Sequence, residues 1–273
     1  MNWRAIKAIV KRDLLAVFRS KGVLLPLIIV PLIFMIILPG AFGLLTPVIN
    51  QLPGANMPEI AVFLEQLPQE LLAKFAGYST DQLMITFMLV YLFAPMFLII
   101  PLMVASVVAA DSFAGEKERK TLEALIYTPT TDVELFVGKV LSAMIPAIVV
   151  TLIGFLLYAL TANLAAWSTM GRIFFPNAAW IILVPWVAPG TAITGLGATV
   201  IVSSKVNSFQ EANQIAGIIV LPILALVLGQ ISGVMYFGVL VTILLGLVFW
   251  VAGGVLLFFG VRTFRRSEIL ARG

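Results

Sequence analysis

The residues best equipped for chemistry lie between Asp111 and Lys139, in the string DSFAGEKERKTLEALIYTPTTDVELFVGK. Carboxylates and cationic groups alternate over Glu116, Lys117, Glu118, Arg119 and Lys120, which suits ion pairing and docking rather than proton transfer. The chain has no His and no Cys, so the commonest general base, the thiolate nucleophile and the usual transition-metal ligands are missing together. No catalytic, cofactor-binding or metal-binding residue is assigned. A phosphate-cradling loop needs GxxxxGK[ST], because backbone N–H groups, a Lys and a Mg-binding hydroxyl must converge on one phosphate tail. The nearest string runs from Gly115 to Thr121 and puts Lys120 where the second Gly belongs, so this chain is not expected to hydrolyse ATP.

Within the charged string, Glu116 to Lys120 runs into Leu122, Leu125 and Ile126 at helical spacing, which predicts a short helix with one apolar face. Thr128-Pro129 breaks it. Thr131 and Glu134 then form a Thr-x-x-Glu capping box that starts a new helix. A connector need only be polar, whereas the Leu/Leu/Ile face suits contact with a partner; on chemistry alone, a solvated loop and a docking surface both stand.

The elements that must hold this segment are membrane spans. Between Ala212 and Val261 there are fifty residues without Asp, Glu, Lys or Arg, and four other long uncharged stretches precede them. A spanning helix takes roughly 20 apolar residues at ~1.5 Å each, so the last stretch must fold back as two spans. Six spans result, at about 22–45, 83–110, 133–161, 177–203, 212–231 and 237–261. The fold class is all-α, a single polytopic membrane domain over 1–273. Its composition, 61% hydrophobic and 11% charged with mean hydropathy +1.10, belongs to that class.

Of the 17 Lys and Arg residues, all but Lys74 and Arg172 fall in the N-terminal segment, the 111–139 segment, the turn at Lys205 or the C-terminal cluster from Arg262 to Arg272. By the positive-inside rule both termini are cytoplasmic, 111–132 is a cytoplasmic segment and 46–82 an outer loop. The basic pI near 9.5 points to anionic headgroups rather than nucleic acid. The spans as drawn are expected to hold no acidic or basic residue, which argues against a self-powered carrier, since ion-coupled carriers keep ionisable groups at membrane depth. An ATP-independent carrier or channel is the alternative reading.

Residues 1–21 read as an interfacial amphipathic helix, with Trp3, Ile6, Val10, Leu14 and Val17 at three- and four-residue steps. A cleaved secretory signal fits poorly, because the charged part is long and no small-residue site ends it. Prolines at 26, 31 and 39, at 95 and 101, and at 185 and 189 should break the first, second and fourth spans. Gly190, Gly195 and Gly197 allow close helix approach, and Trp167 and Trp180 are placed as headgroup-level anchors. The loop 46–82 holds two short amphipathic pieces, around Ile60–Leu67 and Leu71–Phe75. Met84, Met88, Met96 and Met103 share an arc of the second span; packing, rather than a soft-metal path, is the expected reason.

The 111–139 segment resembles the signature of the type-2 ABC exporter permeases (the ABC-2 type transmembrane subunits). Phe113 to Arg119, Thr121 to Glu123, Thr128-Pro129, Glu134-Leu135 and Gly138-Lys139 match in order. The basic N-terminal helix, six spans and the turn Ser208 to Ala212 fit in layout. The link from Gly229 to Gly238 is shorter than the re-entrant hairpin of many relatives, and the first outer loop is small.

The resemblance implies the permease subunit of an ATP-driven exporter in the cell membrane, paired with a second permease copy. A separate cytoplasmic ATP-binding subunit would hold ATP and Mg. It further implies that Glu116, Glu118, Arg119, Thr121, Leu122, Glu123 and Leu125 couple to that subunit, with the N-terminal helix as a second contact. ATP-driven closure would then push the 116–125 helix and rock the two halves.

Overall fold

Five of the long helices start where a polar side chain takes up free backbone N–H groups. The computed structural model describes residues 2–49, 73, 75–121, 130–232, 235 and 237–263, and among these no strand is present. Asn2 caps α1 (Trp3–Arg19). After Ser20, α2 (Lys21–Ile49) follows. A Ser79/Gln82 capping box starts α3 (Thr80–Glu118), and the expected Thr131/Glu134 box starts α4 (Asp132–Ala165). Asn177 caps α5 (Ala178–Ser203), Ser208 caps α6 (Phe209–Ile231), and α7 (Val239–Thr263) closes the set. These side-chain oxygens satisfy N–H groups that a helix start leaves free.

The six helices α2 to α7 are long and apolar enough to cross a membrane, as the hydropathy pattern predicts. The largest boundary difference is at α3, which continues past residue 110 to Glu118 instead of giving way to a loop. Of the amphipathic pieces expected in the loop 46–82, Ile60–Leu67 and the Leu71 and Leu72 of the second lie outside the described residues, as do Leu122, Glu123, Leu125 and Ile126, while Phe75 packs against the core.

Four departures from regular α-helix lie just ahead of a proline, whereas the π stretch Asp111–Gly115 in α3 does not. π-helical stretches occupy Ile33–Ile37 before Pro39, Phe87–Leu92 before Pro95 and Leu183–Val187 before Pro189, while a 3-10 turn covers Gly217–Val220 before Pro222. In each case the residue four positions before the proline lies inside the irregular stretch. Proline has no N–H to donate there, and its ring crowds that carbonyl, so the backbone widens or tightens locally. The first, second and fourth spans, expected to be proline-broken, are the three with π stretches ahead of their prolines.

Freed carbonyls inside a membrane need donors. In α3 the Tyr158 hydroxyl donates to the Leu89 carbonyl at 2.6 Å and the Trp180 indole N–H donates to that of Val90 at 2.7 Å. Trp180 is therefore no headgroup anchor: it is 0% exposed, stacked on Tyr158 and edge-on to Phe97 and Phe175. Its position near a helix start suggested an interface, but the hydrogen bond to the π stretch draws it inward. Trp167 remains exposed.

The centre of the bundle is α3, flanked by α4 and α5. Small residues set the spacing. A Cβ at Gly197 would lie 2.8 Å from the Leu256 Cβ on α7, and one at Gly195 would lie 2.7 Å from the Leu102 carbonyl oxygen on α3. Met84 sits in the core, with Met88 and Met103 packed against it. The outer faces of α2, α6 and α7 expose Leu and Ile side chains, which suits hydrocarbon or another helix.

The expectation that no span carries an ionisable group fails at the charged end of the bundle, where α3 buries Asp111 and Glu116 and α4 buries Glu134 and Lys139. Lys139, two turns into that helix, is completely buried. A lysine there is tolerable only because acidic groups from other elements converge on it.

Candidate coupling site

Three elements meet around Lys139. From α3 come Asp111, Ser112 and Glu116, from α1 come Arg12 and Asp13, and α4 supplies Lys139 and Ser142. The Lys139 Nζ donates to Glu116 Oε2 at 2.6 Å and to the Ser112 carbonyl at 2.5 Å, and stands 3.8 Å from Asp13 Oδ2. The Phe113 ring lies beside it, 5.3 Å from the ammonium. Glu116, 5% exposed, also pairs through Oε1 with the Arg12 guanidinium. Asp13, 3% exposed, forms an ion pair through Oδ1 with Arg12 Nε at 3.2 Å and accepts through Oδ2 from the hydroxyls of Ser112 and Ser142 at 3.5 and 3.4 Å. Every charge in the cluster thus has an opposite charge beside it, the condition under which buried ions persist.

The signature string is legible as a packing plan for this cluster. Gly115 makes room for the ion pair that crosses it, Arg119 Nη1 to Asp111 Oδ1 at 3.0 Å; a Cβ there would lie 2.9 Å from that oxygen. Gly138 lets α1 sit directly on α4, since a Cβ would lie 2.8 Å from Ile9 Cγ2. Lys139, its neighbour, then reaches the carboxylates. A second link joins the helix starts, because the Asn2 backbone N–H donates to Glu134, whose other oxygen accepts from Thr131 N at 3.0 Å.

Beyond Glu116 the chain turns outward. The Lys120 N–H bonds to the Lys117 carbonyl at 3.1 Å and the Thr121 N–H to the Glu116 carbonyl at 3.0 Å, the two bonds of a Schellman motif. Lys120 occupies its left-handed position at φ 55°, where Gly is usual. The predicted helix running from Glu116 into Ile126 is thereby corrected: its polar half is the last turn of α3, and the helix closes at Lys120. Two side chains tie this turn to the next inner element. Lys117 Nζ donates to the Val206 carbonyl at 3.1 Å, and Glu118 Oε2 accepts from the Phe209 N–H at 2.9 Å, where a carboxylate suits the start of α6.

Of the residues expected to couple, Glu118, Arg119 and Thr121 are exposed on this turn. Glu116 is not available to a partner: its carboxylate is taken by Lys139 and Arg12. Leu122, Glu123 and Leu125 lie outside the described residues. Asp13, Lys139 and Ser142 were missed. The available signals were an acidic residue on the apolar face of a basic helix, with Ile6, Ile9 and Val17, and a lysine inside a span.

Residues 7–243 match the family described as ABC-2 family transporter protein, a stretch containing the whole cluster and most of the chain. The chain belongs to the ABC-2 transporter family. No curated protein matches it. The ABC-2 protein is accordingly a multi-pass membrane permease, the membrane component of a transporter rather than its catalytic part. The resemblance noted in the 111–139 signature is the membership that this wider match establishes.

Proposed function

We infer that this permease is half of an ATP-driven exporter, engaged from the cytoplasm by a separate ATP-binding subunit at the exposed turn Glu118 to Thr121 and the following Leu122, Glu123 and Leu125. ABC-2 permeases generally work with such a subunit. ATP and Mg would be bound there, and a second permease copy would complete twelve spans in the cell membrane.

The observation that carries this reading is the buried cluster: the last turn of α3, from which the exposed turn emerges, is held through Glu116 by ion pairs to Arg12 of α1 and Lys139 of α4, and Lys139 also faces Asp13 of α1. A force on the turn would move those helices as a block instead of bending a loop. Glu116 then serves as a transmitting group inside the permease, while Glu118, Arg119 and Thr121 remain the contact set. Charges at such a rim set encounter and register, and apolar side chains such as Leu122 supply buried contact.

The test is co-purification of a tagged permease with its ATP-binding subunit. Leu122→Asp should lose that subunit while the permease keeps its thermal unfolding profile. Retained binding would remove Leu122 from the docking face. Reconstituted permease alone should move no cargo in liposomes; transport without the ATP-binding subunit would establish the independent carrier or channel instead.

A further inference from the structure

The amphipathic helix α1 does not use all of its apolar surface on the protein. Ile6, Ile9 and Val17 are buried against the bundle, but a second stripe, Trp3, Val10, Leu14 and Phe18, borders an open groove of about 450 Å³ closed on its far side by Leu141 and Ile145 of α4. Lys7 and Lys11 stand in the same groove wall, both exposed. Neither has an acidic partner among the described residues, whereas Arg12 on the same helix is paired with Asp13 and Glu116.

Beyond the groove, Ile148 and Leu152 follow Leu141 and Ile145 at helical spacing along α4, and both are exposed, so an apolar track leads from the groove along that helix. A groove whose wall carries two lysines without an acidic partner among the described residues, with an apolar track leading from it along a spanning helix, is complementary to an anionic amphiphile. The charges fit a phosphate, and the track fits a chain. A free anion would leave the track empty, and a peptide would not need its continuation into the membrane.

We propose that this groove holds an anionic phospholipid, its phosphate between Lys7 and Lys11 and one acyl chain along Leu141, Ile145 and Ile148. The lipid would fill the space between α1 and α4, beside the charged cluster that joins those helices.

Trp3 in the groove wall provides the readout. The full-length permease is reconstituted in two sets of vesicles of identical phosphatidylglycerol and phosphatidylcholine content. One set carries bromine on the phosphatidylglycerol chains and the other an equal amount of bromine on the phosphatidylcholine chains. The Trp3 contribution is the difference from Trp3→Phe. Brominated phosphatidylglycerol should quench it roughly twofold or more beyond brominated phosphatidylcholine, and Lys7→Gln/Lys11→Gln should abolish that excess. Arg19→Gln/Lys21→Gln removes the same charge away from the groove and should leave it in place. Equal quenching by both lipids in the unmodified protein would overturn the site, as would loss of the excess in both double variants, which would reduce it to diffuse surface attraction.

Discussion

Lys139 is the residue on which the charged end of the bundle depends. Its ammonium is enclosed by Glu116, Asp13 and the Ser112 carbonyl, and removing it leaves two buried carboxylates with Arg12 as their remaining cation. Stripping one partner from a buried pair costs about 3–5 kcal/mol, so Lys139→Met should lower unfolding stability by that order in detergent. Adding Glu116→Gln should restore part of the loss, with a coupling of about 1–3 kcal/mol in the double-mutant cycle. A double variant no more stable than Lys139→Met would show that the Glu116 pair is not the reason Lys139 is held there. At this scale the sequence was only partly legible. Glu116 was singled out, but for an outward role, because spacing along the chain does not show that Lys139 and Arg12 close around it.

At the scale of elements, helix starts and stops are local decisions. The Thr131/Glu134 box was readable because both partners lie within one turn and need no other part of the fold. Pro39, Pro95 and Pro189 likewise announced the π stretches of α2, α3 and α5 that precede them, since the missing N–H is a property of the residue itself, whereas the π stretch Asp111–Gly115 had no such signal. Trp180 was misjudged for the opposite reason: its hydrogen-bond partner, the Val90 carbonyl, lies on another span. The contact between α5 and α7 gives a test of the small-residue reading. Gly197→Leu would drive a side chain into Leu256 and the Leu257 backbone and should cost about 1–3 kcal/mol in thermal unfolding. An unchanged profile would mean that these two helices are free to separate.

The whole molecule is a bundle whose charged end is cross-braced and whose outer faces are apolar. If α1, α3 and α4 act as one block, fixing them together should do no harm. Because the chain has no native Cys, Ile9→Cys/Gly138→Cys places a clean pair where α1 packs directly on α4. On the proposed function, oxidising that pair should leave transport by the complex with its ATP-binding subunit within about twofold of the reduced form, as expected for a crosslink inside a unit that does not rearrange. Loss of transport on oxidation, recovered on reduction, would show that α1 must leave α4 during the cycle.

The number of spans and the all-helical class were determined by the sequence alone, because crossing hydrocarbon imposes a length and an apolarity that each segment must meet by itself. The charged segment was visible for a similar reason, as a break in that apolarity. Only the tertiary structure decided which charges face inward. Asp13 and Ser142 are separated by 129 positions in the chain, yet their side chains meet because Gly138 allows α1 to lie on α4. Burial turns an ion into a demand for a specific partner, and where that partner stands is settled by helix packing.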